Sequence, residues 1–226
     1  MFFKRLRQDI NAAKRNDPAA RNKFEIWLTY SGVHALSWHR GAQFFYKIKL
    51  KLLARMISQF AKFLTGIEIH PAAKIEGGVF IDHGAGVVIG ETTEIGDYCT
   101  LYQNVTLGGT GKDTGKRHPT LGNNVLVGAG ARVLGPMKIG DNSKIAANAV
   151  VLEEVPPNCT AVGVPARVVK RDGVRVGNSD LDQIHIPDPV SQLLCEHMYK
   201  IECLQQEIDD LKKQLDSKNN NSQEEK

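Results

Sequence analysis

Two histidines lie beside charged residues in an arrangement that suits proton transfer. His83 follows Asp82, and His118 follows Arg117. Histidine is the natural general base near neutral pH, and a hydroxyl that attacks an acyl carbon needs a base to take its proton. A carboxylate behind the imidazole fixes the tautomer and stabilises the imidazolium. The residue types therefore indicate acyl transfer, with either histidine as a candidate base.

The chain around these histidines repeats every six residues from about 69 to 155. Each block opens with Ile, Leu or Val, as in IHPAAK from Ile69 and IGDNSK from Ile139, and its second place is often Gly. A fixed short period indicates one structural unit stacked many times. Six residues suit a short strand and a tight corner, so three blocks form a triangular coil of about eighteen residues with the aliphatic residue inside. The repeat predicts a parallel β-helix.

Two irregularities in the repeat coincide with the candidate histidines. The block from Ile81, which contains His83, runs two residues long, and the segment GGTGKDTGKRHPT at 108–120 replaces a single corner and contains His118. Insertions on a rigid solenoid are where function concentrates. Glu68 precedes His83 by fifteen residues, close to one coil, so the spacing places Glu68 near His83 on the neighbouring turn.

Residues 1–66 are predicted to form a helical region before the repeats. Apolar residues recur three and four apart from Ile48 to Leu64, with lysines and arginines mostly off that face, and Thr65-Gly66 suits a helix end. A basic amphipathic helix can bind membrane surfaces. The alternative, which we favour, is a helix packed on the β-helix or on another subunit.

The β-helix is predicted to occupy 67–172, and 173–226 to form a linker, a short coiled-coil-like helix and a disordered tail. The helix is indicated by apolar residues that alternate three and four apart, as in a heptad repeat. A helix this short is marginal alone in water, so we expect it to associate with copies of itself. The heptad positions are Ile201, Leu204, Ile208, Leu211 and Leu215.

Composition excludes several classes of protein. The 226 residues carry a formal net charge of only +4, so no nucleic-acid partner is indicated. The four cysteines form no CxxC pair and are expected to be reduced thiols. The N-terminus lacks the apolar core of a signal peptide, and no apolar run approaches the roughly 20 residues that span a bilayer. We expect a cytoplasmic protein without a membrane partner.

Several segments occur in the order seen in serine O-acetyltransferases, and residues 9–170 resemble that family. They are HPAAK from His70, FIDHGAG from Phe80, VIGET from Val88, VTLGGTGK from Val105, KRHP from Lys116 and GVPAR from Gly163. The stretch from RNDPAAR at Arg15 through GVHAL at Gly32 is also similar to the family. The resemblance implies a left-handed β-helix, and the fold class is mainly β.

The resemblance implies roles for six residues. His83 matches the general base that deprotonates the serine hydroxyl, and Glu68 stands where the family usually has an Asp paired with that base. Asp17 and Asp82 match acidic residues that hold the substrate ammonium group. Two further residues, Arg117 and His118, match the carboxylate anchor and a second active-site histidine near the hydroxyl.

The resemblance further implies acetyl-CoA as co-substrate, with Gly109, Ala129, Lys144 and Ala147 matching positions along its groove, and no metal. Acetyl would pass directly to L-serine, giving O-acetyl-L-serine, the precursor of cysteine, and CoA. L-cysteine is implied as a feedback inhibitor at the serine site. The motif contains no Ser or Cys nucleophile, so no acyl-enzyme is expected.

The resemblance also implies an assembly. Relatives form trimers with active sites between neighbouring β-helices, and the short N-terminal region favours a homotrimer over a hexamer. Many relatives insert a C-terminal isoleucine into cysteine synthase, but this chain ends in Glu-Glu-Lys. A complex with cysteine synthase is therefore not expected.

Three alternative functions remain open from the residues. The first is an acetyltransferase of the same fold that acts on a sugar, although a sugar offers no zwitterion for Asp17 and Arg117 to bind. The second is a zinc enzyme of the carbonic-anhydrase type using His70, His83 and His118. The third is a non-catalytic scaffold, in which replacement of His83 would have no effect.

Overall fold

The computed structural model describes residues 2–111 and 114–171, together with Ile201, Leu204 and Gln205. Its first part contains four helices: α1 (Phe2–Asn16), α2 (Lys23–Thr29), α3 (Ser31–Lys47) and α4 (Lys51–Thr65). The Asn22 side chain caps α2 by accepting from Glu25 N at 2.8 Å. Gly66, with a φ of 72°, ends α4 in the left-handed conformation. The predicted N-terminal helical region is confirmed.

Among the described residues, fifteen short strands follow the helices and form three sheets. They are β1 (Glu68–Ile69), β2 (Lys74–Ile75), β3 (Phe80–Ile81), β4 (Val88–Ile89), β5 (Glu94–Ile95), β6 (Thr100–Leu101), β7 (Thr106–Gly108), β8 (Thr120–Leu121), β9 (Leu126–Val127), β10 (Arg132–Leu134), β11 (Lys138–Ile139), β12 (Lys144–Ile145), β13 (Val150–Val151), β14 (Cys159–Gly163) and β15 (Ala166–Arg171).

From β1 to β13 every third strand stacks in the same sheet, which makes a prism with three faces, and β14 and β15 extend the third face. Face A has the order β1-β4-β7-β10-β13, face B the order β11-β8-β5-β2, and face C the order β15-β14-β12-β9-β6-β3. All pairs are parallel except β14 with β15. This is the left-handed parallel β-helix that the resemblance implies.

The aliphatic residues that open the blocks form the core. Ile69, Ile89, Leu107, Val133 and Val151 are in register on face A, and all five are buried. Because each coil alone exposes its aliphatic residues, stacking the coils is what creates a continuous core.

Helix α4 contacts β1 of the β-helix, and the residues that it buries are small ones. It buries Ala54, Ser58 and Ala61, and Ser58 donates to Ile69 O at 2.7 Å. Small residues allow the helix to approach β1 closely, and the large apolar side chains then point away. Those exposed side chains are Leu52, Leu53, Met56, Phe60, Phe63 and Leu64, and we call them the α4 apolar face.

Most of the predicted C-terminal helix lies outside the described residues. Ile201, Leu204 and Gln205 are helical. The other heptad positions, Cys195, Cys203 and the tail are not described. Cys99 and Cys159 are free and buried.

Candidate active site

The edge where face C turns into face A carries His83. The chain uses six residues, 82–87, to pass from β3 to β4, whereas the equivalent passage from β6 to β7 uses only 102–105. The longer corner lifts His83 away from the wall, and its side chain is 74% exposed. Gly84 has a φ of 64°, and a Cβ there would lie 2.5 Å from Ile67 Cδ1, so this corner requires glycine.

Two carboxylates lie on the same edge as His83. Asp82 Oδ2 is 3.9 Å from His83 Nε2, which is an ion-pair distance but too long for a hydrogen bond. Burial raises the pKa of Asp82, the neighbouring His83 opposes this rise, and the nearby Asp17 adds to it. Asp17 is therefore close enough to Asp82 for the two carboxylates to interact, and we call these two residues the acidic cluster.

Tyr30 holds one of these carboxylates. Its hydroxyl donates to Asp17 Oδ2 at 2.5 Å, while Ala19 N donates to Asp17 Oδ1 at 2.7 Å. Burial and the hydrogen bond to Asp17 raise the pKa of Tyr30 to about 12. The phenol therefore stays protonated and acts as a donor across the physiological pH range. The sequence offered no signal for Tyr30.

Glu68 lies next to this edge, but its carboxylate has another partner. Glu68 N donates to Val87 O at 2.8 Å, which places the backbone of β1 against the corner that carries His83. The Glu68 side chain accepts from Lys62 Nζ at 2.5 Å. Lys62 on α4 therefore already pairs with the carboxylate that spacing had assigned to His83.

His118 lies on a different edge, where face A turns into face B. Its side chain is packed rather than projecting, because the end of the 108–120 segment folds against Thr92. Arg117 N and His118 N donate to Thr92 Oγ1 at 3.1 and 3.0 Å, and Lys116 Nζ donates to Thr92 O at 2.6 Å. Thr92 thus organises the whole end of the insertion.

The same threonine fixes the tautomer of His118. Nδ1 accepts from Thr92 N at 3.2 Å and lies 2.9 Å from Thr92 Oγ1. Because a backbone N–H can only donate, Nδ1 is unprotonated and the neutral ring carries its proton on Nε2. Burial lowers the pKa of His118, and the adjacent Arg117 lowers it further. His118 is consequently a neutral hydrogen-bond donor through Nε2.

Gly90 makes room for the His118 ring. A Cβ at position 90 would lie 2.7 Å from His118 Cγ, and closer still to Cδ2 and Nε2. Real Cβ atoms essentially never approach a neighbour this closely, so the ring position depends on the absence of a side chain at 90.

Arg117 is paired with Glu91 on the same edge. An Arg117 guanidinium nitrogen donates to a Glu91 carboxylate oxygen, and this hydrogen bond lowers the pKa of Glu91. A guanidinium has five N–H donors, so the ion pair with Glu91 orients the Arg117 guanidinium and leaves N–H donors for a second carboxylate. Glu91 and Thr92 belong to the VIGET segment, but no role was predicted for either residue from the sequence.

The two histidines are separated by the width of face A within one chain. His83 lies between β3 and β4, and His118 lies between β7 and β8, so they occupy opposite edges of that face. His70 lies on the same edge as His118, and burial lowers its pKa. The fold does not bring His70, His83 and His118 into one cluster.

The predicted coenzyme positions are distributed over both edges and face C. Ala129 and Ala147 lie on the His83 edge in the third and fourth coils, and Asn148 N donates to Ala129 O at 2.8 Å. Gly109 lies on the His118 edge, where a Cβ would be 3.0 Å from Arg117 O. Lys144 begins β12 and lines a small pocket with Arg15 and other polar residues.

Neither a metal cluster nor a membrane span is found in the part of the chain that the structure describes. Among residues 2–111 and 114–171 and the three described beyond them, no three His, Cys, Asp or Glu side chains are grouped as metal ligands. None of the described helices combines the length and apolar character needed to cross a bilayer.

Comparison with known proteins identifies the family. Residues 118–153 match the family profile described as bacterial transferase hexapeptide (six repeats). The serine acetyltransferase of Synechococcus elongatus is 51% identical over 210 residues, which covers 93% of this chain and 85% of the relative. That of Bacillus subtilis is 50% identical over 218 residues, covering 96% of this chain and all of the relative.

Solved structures of serine acetyltransferases have the same fold and include ligand complexes. The Neisseria gonorrhoeae enzyme in complex with serine has a TM-score of 0.73 at 39% identity, covering 75% of this chain and 69% of that one. The Brucella abortus enzyme with coenzyme A has a TM-score of 0.74 at 42% identity, covering 76% and 69%. A complex with cysteine has a TM-score of 0.74 at 40% identity, covering 75% and 70%. This chain, an acyltransferase, belongs to the serine acetyltransferase family.

Proposed function

We propose that His83 is the general base with which this chain transfers the acetyl group of acetyl-CoA to the hydroxyl of L-serine. The observation that carries this assignment is the projecting His83 with Asp82 Oδ2 3.9 Å from its Nε2, and the nearby Asp17 supplies the second carboxylate. Two carboxylates offer a site for an α-ammonium group, and they place the hydroxyl of the same amino acid near the imidazole. The product, O-acetyl-L-serine, supplies cysteine biosynthesis.

The proposed chemistry is a direct transfer. The His83 imidazole takes the serine hydroxyl proton while the hydroxyl oxygen attacks the thioester carbonyl carbon. The tetrahedral intermediate then expels the CoA thiolate, which receives the proton from the imidazolium. His118, with its proton on Nε2, is a donor for the oxygen on which negative charge develops, and Arg117 binds the serine carboxylate. The Glu68 carboxylate, on β1, pairs with the His83 imidazole, and Lys62 competes for the same carboxylate.

The coenzyme is assigned to the His83 edge. Ala129 and Ala147 have no bulk beyond Cβ, so an extended pantetheine arm can pass along this edge toward His83. Gly109 allows the backbone to approach the ligand from the neighbouring edge, and Lys144 is the candidate for the nucleotide phosphates. The complex of a relative with coenzyme A supports acetyl-CoA as the donor.

A complete site is proposed to form between two chains of a homotrimer. The base cluster and the Arg117–His118 pair occupy opposite edges of face A, so one chain presents half a site on each edge. When neighbouring β-helices meet edge to edge, the His83 edge of one chain faces the His118 edge of the next. The α4 apolar face lies beside face A, and large exposed apolar surfaces mark association sites.

One further assignment follows from the amino-acid site. L-cysteine carries the same ammonium and carboxylate as L-serine, so we assign feedback inhibition by L-cysteine to the same groups, and a cysteine complex of a relative supports this. Cytoplasmic location remains a prediction.

Subunit complementation tests the shared site. His83→Ala and His118→Ala chains, each inactive alone, are co-expressed with different tags, and mixed trimers are isolated through both tags. If the two histidines of a site come from different chains, each mixed trimer regains one of its three sites, so activity returns to about a third of the wild-type value. Mixed trimers with no more activity than the parents would place both histidines of a site in one chain and contradict the assignment.

A further inference from the structure

We propose that Tyr30 is a positioning residue that fixes the Asp17 carboxylate for the substrate ammonium group, and so sets the preference for α-amino acids. This inference rests on the proposed role of Asp17. Tyr30 lies outside the repeats, and its hydroxyl reaches the acidic cluster from the helical region.

The backbone and ring of Tyr30 are both held in place. Tyr30 N donates to Ile26 O at 3.1 Å at the end of α2, and Tyr30 O accepts from His34 N at 3.1 Å at the start of α3. The ring packs against a second core that includes Ile26 and Phe80, the residue that opens β3 just before the corner. Because the backbone is hydrogen-bonded and the ring is packed against this core, the hydroxyl position is preorganised.

The hydroxyl completes the set of fixed donors around Asp17. Ala19 N occupies Oδ1 and the Tyr30 hydroxyl occupies Oδ2, so the plane of the carboxylate is set on both sides. Each carboxylate oxygen has a second lone pair, which is directed away from these donors and is available to an ammonium group.

The charge state of Tyr30 matches this role. Its pKa is raised to about 12 by burial and then by Asp17, with smaller contributions from Glu25 and Asp82. A neutral phenol donates to Asp17 without cancelling its negative charge, whereas a Lys or Arg in this position would neutralise the carboxylate and weaken its attraction for a cation. The pairing therefore orients the anion and preserves its charge.

The experiment measures recognition of the ammonium group separately from the rest of the reaction. In Tyr30→Phe we expect the KM for L-serine to rise about ten-fold, which corresponds to about 1.4 kcal/mol of binding free energy. The KM for acetyl-CoA and the inhibition constant of 3-hydroxypropionate, which is serine without its ammonium group, should change less than two-fold. Thr29→Val, which removes the neighbouring hydroxyl that donates to Glu25 O, is the matched control and should resemble the wild type.

A double-mutant cycle with Asp17→Asn links the two residues. If Tyr30 acts through Asp17, adding Tyr30→Phe to Asp17→Asn produces no further rise in the KM for L-serine. An equal weakening of L-serine and 3-hydroxypropionate, or a KM for L-serine within two-fold of the wild type, would overturn the proposal. If Asp17→Asn alone leaves that KM unchanged, the ammonium site itself is wrongly assigned, which is a different failure.

Discussion

Replacement of Gly90 by alanine should disable His118 without disturbing the β-helix. The new Cβ would lie 2.7 Å from His118 Cγ and closer to Cδ2 and Nε2. The backbone of Gly90 requires no left-handed conformation, and the three atoms nearest to the new Cβ all belong to the imidazole. Because carbon contacts normally exceed about 3.4 Å, the ring must move by about 1 Å or more, and a displacement of this size can cost about 100-fold in rate.

The assay is release of free CoA from acetyl-CoA at saturating L-serine. We expect kcat to fall about 100-fold in Gly90→Ala, because the Nε2 proton no longer meets the developing charge. Gly115→Ala is the matched control. Gly115 lies in the same insertion as His118, and a Cβ at position 115 would have no atom within 4 Å. A folded Gly90→Ala protein with kcat within two-fold of the wild type would refute the role of His118 in the rate of acetyl transfer.

Three other results are expected. Glu68→Gln should lower kcat at least about five-fold if the Glu68 carboxylate supports His83. Lys62→Met frees that carboxylate and should not lower kcat. A lower kcat in both variants would indicate that Glu68 and Lys62 form a structural ion pair. Phe63→Glu should dissociate the oligomer and abolish CoA release, while Phe3→Glu, equally exposed on α1, should do neither; sedimentation velocity reports the assembly. Burial lowers the pKa of His39 to about 3, below its unfolded value near 6.5, so the unfolded chain binds the proton first as the pH falls. The stability of the fold should therefore decrease as the pH drops below about 6.5. The urea midpoint should decrease with pH in the wild type and less steeply in His39→Gln.

The β-helix was predictable because its signal is periodic. Every block that opens with an aliphatic residue needs its neighbours to bury that residue, so one repeated pattern specifies both the strands and their stacking. The insertions were visible as breaks in that period, and they carry His83 and His118. The left hand was available only from the resemblance, because the period is the same for either hand.

Contacts between distant parts of the chain were not predictable from spacing. Tyr30 reaches Asp17 because α2 and α3 fold back on α1, and Thr92 organises His118 from 26 residues away. Glu68 shows the limit most clearly, since coil spacing placed its backbone beside His83 but gave no information about Lys62, which approaches from α4. Similarly, the hydrophobic pattern of α4 indicated an apolar face but did not show that small residues are the ones buried within the chain.

The most direct test of His83 as the general base compares L-serine-dependent CoA release by the wild type and His83→Ala. We predict release that requires L-serine and falls about 10²–10⁴-fold in the variant, with coenzyme A binding and the assembly unchanged. Release in His83→Ala within a few-fold of the wild type would show that another group takes the serine proton, and would contradict the assignment of His83 as the base.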